Sequence, residues 1–304
     1  MNDTVDKCDV VGCYKNIDEL QYLDMARRII ETGSIEEGRN GNTRCLYGEK
    51  MVFSLDDGLL PLLTSKKVAW RTCLRELLWF ISGSTSNKVL QDKKVNIWNG
   101  NSTREFLDSR NLTHLAEGDL GPVYGHQWRH FNAEYVSHDT DYTGKGVDQL
   151  SNVIEQLKND RQSRRIILSA WNPCQLDEMA LPPCHAFVQF HVSGDRKLIC
   201  CLYQRSGDVG LGVPFNIASY AFLTHLLAHH VGLVAHKLIH FIGNAHVYES
   251  HVAALTTQLE NDTHEFPRLR FSVESRDNIG DYVEGDFIVD GYRSANVVKM
   301  DMVA

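Results

Sequence analysis

The sequence has no long apolar run: nothing in its 304 residues approaches the roughly eighteen uninterrupted apolar positions that suggest a membrane-crossing helix. Its first residues, Met1-Asn2-Asp3-Thr4-Val5-Asp6, hold neither a basic nor an apolar stretch, so they do not read as an export signal. Positive charge is also scarce. Against 39 Asp and Glu stand 31 Lys and Arg, a net charge of −8 that repels a phosphate backbone at long range. An anionic ligand therefore needs a local cluster of arginines. Eight cysteines lie at 8, 13, 45, 73, 174, 184, 200 and 201 without repeated CxxC spacing, which argues against a zinc ribbon or a secreted disulfide framework. Most are expected to be reduced and buried as small apolar side chains. Linkers, repeats and low-complexity segments are lacking too, and 43% hydrophobic residues suffice for one large core. These absences predict a soluble, cytoplasmic chain with neither membrane nor nucleic acid as partner.

What is present is a mixture of helical and strand-like periodicity. Asn16 and Glu19 form a capping-box variant ahead of an apolar stripe of Ile17, Leu20, Leu23, Ala26, Ile29 and Ile30, ending at Gly33. Further helices are predicted over 71–83 and 217–232, the latter apolar on most sides and so deeply buried, and after His246. Strand-like runs occupy 51–55, 165–170, 186–192, 197–203 and 238–242, with a hairpin turn at Ser193-Gly194-Asp195 and a polar loop over 132–146. The expected fold is α+β: a single domain with a large mixed β-sheet flanked by helices.

Two segments bear chemistry. In Leu181-Pro182-Pro183-Cys184-His185, two prolines fix the chain and remove two donors just before an alternating strand. Cys184 is there either a nucleophile or an inert buried thiol, and the latter is the commoner fate. If the pair is already extended, Cys184 and His185 face opposite ways, which argues against a hydrolase dyad. In Tyr203-Gln204-Arg205-Ser206-Gly207-Asp208, a strand ends in a cation, a hydroxyl and a carboxylate. A guanidinium beside a thiol of ordinary pKa about 8.5 raises its thiolate fraction, and arginine also binds phosphate bidentately. His225, His229 and His230 invite a zinc reading, but Leu226 stands where HExxH needs glutamate. Gly207, Gly210 and Gly212 do not make the GxGxxG of a dinucleotide site.

The strings LPPCHAF at 181–187, LYQRSGD at 202–208, GLGVPFNIASYA at 210–221, GDLGPVYGHQWRHF at 118–131 and SRRIILSAW at 163–171 resemble the thymidylate synthase family. The similarity runs in consistent order from about Glu19 to the C-terminus, leaving 1–16 as an N-terminal extension, expected to be poorly ordered, and 17–304 as the synthase domain. The resemblance implies reductive methylation of dUMP, with 5,10-methylenetetrahydrofolate as co-substrate and no metal or nicotinamide. It also implies a homodimer formed through the sheet.

Residue by residue, the resemblance makes Cys184 the nucleophile toward C6 of the uracil and Glu76 a proton relay at the O4 side. Tyr124 and His185 belong near the thiol. Arg39, Arg205 and Ser206 match phosphate contacts, and Arg164 with Arg165 match a pair reaching the neighbouring subunit's site. Gln204, Gly207 and Asp208 complete the nucleotide-binding run, and His246 and Tyr248 match ribose contacts. Asn216 matches the residue that reads the pyrimidine, its amide complementing O4 and N3–H. Asp208, Ile97, Trp98, Asn101, Leu211, Gly212, Phe215 and Val303 match the folate pocket, although the apolar ones could equally be core. Glu76, among large apolar neighbours on a predicted helix, is expected to have a raised pKa.

The chain also departs from the family. Glu37-Gly38-Arg39-Asn40-Gly41-Asn42-Thr43 replaces a longer loop, and Asn99 and Asn244 replace aspartates. Arg293-Ser294-Ala295-Asn296 and the terminal Met302-Val303-Ala304 also differ from the usual tail. Two alternatives stay open on sequence: a pyrimidine-nucleotide hydroxymethylase, disfavoured by Asn216, and a catalytically silent nucleotide-binding homologue.

Overall fold

The computed structural model describes residues 16–38, 41–194 and 196–302. Arg39, Asp195, Val303, Cys8, Cys13 and the extension before Asn16 lie outside these described residues. Helix α1 (Ile17–Thr32) begins where the Asn16 side chain accepts the N–H of Glu19. The capping box is only half made. Glu19 turns instead to the backbone N–H groups of Thr64 and Ser65, at 2.7 to 2.9 Å, because burial demands several donors for its carboxylate.

Strands β1 (Ser34–Gly38) and β2 (Gly41–Ser54) follow as a hairpin, then helices α2 (Trp70–Ile81), α3 (Asn87–Asp92), α4 (Arg104–Ser109), α5 (Tyr124–His130) and α6 (Gln149–Asn159). Strands β3 (Ile167–Ser169), β4 (His185–Ser193) and β5 (Lys197–Asp208) lead into helix α7 (Gly212–Val231) and strand β6 (Val234–Tyr248). Helix α8 (Val252–Leu259) and a small β7 (Arg268–Phe271) and β8 (Phe287–Asp290) pair complete the chain. The helix expected after His246 therefore begins only at Val252, with His246 itself still in the strand. Helix α6 carries Leu150, Val153, Ile154 and Leu157 at helical spacing, a signal absent from the expected elements above, whereas α3, α4, α5, β1 and β7 are short or polar on most positions.

Among the described residues the main sheet has six strands in the order β1-β2-β6-β5-β4-β3, of which only β5 and β6 run parallel. That pair needs a crossover, and α7 supplies it. One register row, Phe53-Leu238-Cys200-Phe190, crosses four strands with every side chain fully buried. Three positions along, a row on the opposite face carries Phe241, Tyr203 and Phe187, each 40% exposed, with the last two rings stacked at 5.6 Å. Helix α7 lies on β5 and β6 and is buried over most of its circumference, which explains its nearly uniform hydrophobicity. It stops at Gly232, whose left-handed backbone (φ 67°) closes the helix at little steric cost.

Candidate active site

Strand β5 delivers the arginine, and the residue just before β4 is the thiol, Cys184. Pro182 and Pro183 have no N–H to offer the ladder, so their free carbonyls accept the Arg205 guanidinium, at 3.0 Å from Nη2 and 2.9 Å from Nε. Arg205 N–H donates to the Cys184 carbonyl at 2.8 Å, and Cys184 N–H donates to the Tyr124 hydroxyl at 2.8 Å. The cysteine backbone is thus held from both sides. Its sulfur lies 3.8 Å from Arg205 Nη2, and the guanidinium stands 5.6 Å from the Trp171 ring centroid. Burial pushes the thiol up and Arg205 pulls it back only in part. The guanidinium does favour the thiolate, as its position predicts, but desolvation outweighs it in the free chain.

His185 does not serve that thiol. Its Nδ1 bonds the Tyr220 hydroxyl at 2.8 Å, and its ring stacks on Tyr124 at 4.1 Å. Burial, with help from nearby His240, lowers its pKa to about 3, so the ring is neutral. The expected absence of a Cys184-His185 dyad agrees with these partners. A β-bulge between His185 and Phe187 shifts the β4–β5 register at this point, a common device beside active sites.

Glu76 sits on α2 between Cys73, Leu77 and Phe80, only 8% exposed, and accepts the Trp98 indole N–H at 2.7 Å. Burial raises its carboxyl from 4.5 to about 7, with the Trp98 hydrogen bond opposing. That carboxyl can hold or release a proton near neutrality. Trp98 is within 6.0 Å of the Tyr124 ring, so the two halves of the site share an aromatic wall.

Helix α7 presents Asn216, whose Oδ1 accepts from Gln204 Nε2 at 2.9 Å. Gln204 also donates to the Ser206 carbonyl at 2.9 Å, and its own Oε1 faces His240 Nε2 at 2.8 Å. Gly207 makes room for this amide, since a Cβ there would lie 2.8 Å from Val213 Cγ2 and 3.1 Å from Gln204 Nε2.

Asp208 ends β5 and accepts the N–H groups of Gly210 (2.8 Å) and Leu211 (3.3 Å). It raises the pKa of His251, whose Nδ1 is 3.7 Å away. His251 Nε2 in turn bonds the Asp301 carbonyl at 2.8 Å, tying the tail to this corner. Buried Lys66 donates to the Gly210 carbonyl, and desolvation lowers it to about 8. Next to Asp208 across the parallel pair is His246, whose Nδ1 meets Asn244 Oδ1 at 3.2 Å and whose ring is 5.4 Å from Tyr248. Ile97, Leu211 and Phe215 are half-buried, while Asn101 and Trp98 are nearly closed off. Gly212 has only ordinary packing room, a Cβ there lying 3.8 Å from Asp208. Half-buried apolar surfaces beside a carboxylate offer both contact area and a hydrogen-bond acceptor to a bound molecule.

Arg164 and Arg165 are exposed at the start of β3, and their guanidinium groups have no hydrogen bond or ion pair among the described residues. They do not join the Cys184 site of their own chain. Arg39 and Val303 lie outside the described residues, so their expected phosphate and folate contacts have no geometry here. The zinc reading finds other occupations for its histidines: His225 bonds the Leu59 carbonyl at 2.9 Å, His229 stacks on Phe271 at 4.0 Å, and His230 faces Tyr282 at 3.5 Å. Asn99 is absorbed locally, its oxygen accepting from Asn87 (3.0 Å) and Gln91 (2.9 Å). Sequence reasoning missed Lys66, Tyr220, His240 and His251. Only Tyr220, inside the 210–221 string, had a local signal.

The family described as thymidylate synthase matches residues 20–304. Thymidylate synthases of Agaricus bisporus and Ascaris suum are 49% and 50% identical, covering 94% and 96% of this chain and 99% of their own lengths. The bifunctional dihydrofolate reductase-thymidylate synthase of Leishmania major is 52% identical over 95% of this chain, which spans 56% of that protein. Other strong matches are also to proteins about twice as long, so the chain spans about half the length of several relatives. With the match running through every segment that builds the site, the chain belongs to the thymidylate synthase family.

Proposed function

We propose that this chain converts dUMP to dTMP, a methyltransferase reaction that consumes 5,10-methylenetetrahydrofolate and releases dihydrofolate. The observation that supports the reading is the convergence of a thiol just before β4, a guanidinium from β5 and an amide from α7, with Cys184 Sγ 3.8 Å from Arg205 Nη2. Cys184 adds as thiolate to C6 of the uracil, and the displaced electron pair moves toward C5 and O4. Asn216 and the proton held at Glu76 answer the charge developing at O4. Folate, when bound, supplies the one-carbon unit and the hydride. Loss of the C5 proton and cleavage of the sulfur–C6 bond then free Cys184. Arg205 and Ser206 hold the phosphate, His246 and Tyr248 the ribose, and Asp208 with Ile97, Trp98, Asn101, Leu211, Gly212 and Phe215 the folate.

The active unit spans 17–304 and works as a homodimer. The exposed Phe187-Tyr203-Phe241 row supports association through the sheet, and the unpaired Arg164 and Arg165 at its edge support donation across that interface. The first test is dihydrofolate formation by ultraviolet absorbance with dUMP or dCMP, alongside chromatography of the nucleotide. Dihydrofolate with dTMP from dUMP alone is expected; a hydroxymethylated nucleotide without dihydrofolate would replace this reading with the hydroxymethylase. A second test mixes Arg164→Ala with Cys184→Ala chains. Activity is expected to return through heterodimers with one intact site, and silent heterodimers would remove the shared-site claim.

A further inference from the structure

The amide relay behind Asn216 has a direction, and that direction is set from β6. Gln204 Nε2 faces the backbone carbonyl of Ser206, which can only accept, so this end of the amide is the nitrogen. Both of its hydrogens are used, the second on Asn216 Oδ1. The opposite end, Gln204 Oε1, is buried and needs a donor, and His240 Nε2 stands 2.8 Å from it. His240 is fully buried, and its Nδ1 has no partner among the described residues. An unmet nitrogen lone pair is tolerated better than an unmet N–H, which puts the single ring proton on Nε2. Desolvation, lowering the ring to about 3, keeps it neutral.

We infer that His240 is a positioning residue for pyrimidine choice: by donating to Gln204 it keeps the Asn216 nitrogen turned toward the base, favouring uracil over cytosine. This rests on the site being a dUMP site. The carbonyl of Asn216, engaged by Gln204, leaves its amide nitrogen to donate to O4, which uracil has and cytosine replaces with an amino donor. Reversing the His240 tautomer would set a lone pair against Gln204 Oε1 and press that amide to turn. The turned amide would oppose the Ser206 carbonyl and push Asn216 to present oxygen, the polarity that suits cytosine. His240 touches no substrate. It acts through two amides, one on the neighbouring strand and one on the helix packed over both.

The test measures dUMP and dCMP affinity by calorimetry for the full chain and for His240→Leu and His240→Gln. The unaltered chain is expected to prefer dUMP. His240→Leu, which removes the donor, is expected to lose about tenfold of that preference, a change of about 1.4 kcal/mol. His240→Gln, with an amide donor of similar reach, is expected to restore most of it. If His240→Leu weakens both nucleotides equally and keeps the ratio, the residue is merely structural and the inference fails. Nitrogen-15 NMR of the His240 ring in the unaltered chain decides the matter even if the leucine variant does not fold: an Nε2–H tautomer is expected, and an Nδ1–H tautomer overturns the inference. An unaltered chain that does not prefer dUMP would instead sink the dUMP reading, and this inference with it.

Discussion

The two titratable ends of the site are built on opposite plans. At Cys184, burial raises the thiol and a guanidinium 3.8 Å away pulls it down. At Glu76, burial also raises the group, but its polar neighbour is the neutral Trp98 indole, which leaves the carboxyl at about 7. A full charge beside the thiol favours the ionised nucleophile, whereas a dipole beside the carboxyl leaves it able to exchange a proton at neutral pH. Burial thus raises both groups, and the partner makes the difference: a guanidinium draws the thiol part of the way back, while the carboxyl is left near neutrality.

The hardest break in that comparison is Cys184→Ala, expected to drop dihydrofolate formation to background while dUMP affinity stays within a few-fold. Retained turnover would remove the covalent mechanism. Next is Glu76→Gln, expected to cost about 10²- to 10⁴-fold in kcat and to erase the pH-rate limb near 7. A limb that persists in this variant belongs to another group. The same substitution should change how stability follows pH. Because burial holds the folded carboxyl at about 7 and an ordinary glutamate sits at 4.5, the folded chain keeps a proton that the unfolded chain has released between those values. Stability from this group is full below 4.5 and declines as pH rises to about 7. Urea melts of Glu76→Gln should lack that decline.

Arg205→Gln sharpens the other end: thiol alkylation by iodoacetamide at pH 7 is expected to slow about tenfold, one unit of thiol pKa. An unchanged rate would show that the guanidinium does not stabilise the thiolate. The smallest effect is expected from Tyr124→Phe, which removes the acceptor for Cys184 N–H. A loss of about 1–3 kcal/mol in denaturant melts follows if that donor is left unmet. Stability equal to the unaltered chain would mean that another acceptor takes its place.

Much of this molecule is legible locally. The stripe from Ile17 to Ile30, the apolar run of α7 and the alternation of β4 and β5 each write an element into short-range pattern, although β5 runs on to Asp208 and β6 from Val234 to Tyr248, well past their apolar centres. The end of β6 still alternates in burial, with Ala245 and Val247 buried between half-buried Asn244, His246 and Tyr248, but two apolar residues are too few to mark a strand in sequence. Helix α5, with Tyr124 at its start, is seven residues long, too short for a periodic signal. Glu19 begins as a cap and ends as a buried acceptor for Thr64 and Ser65, a partnership no local window contains.

By itself the sequence determined the chemistry on offer: the cysteine behind two prolines, the arginine three residues before Asp208, the asparagine on α7, and through long matching strings the family to which they belong. Tertiary structure alone decided how those groups are tuned. The pKa of Glu76 depends on desolvation opposed by the Trp98 hydrogen bond, the neutrality of His185 on its burial beside His240, and the polarity of Asn216 on a β6 histidine that reaches it through Gln204 and lies 24 residues along the chain. Desolvation and hydrogen-bond direction are properties of three-dimensional neighbours, and neighbours distant in sequence leave no trace in residue spacing.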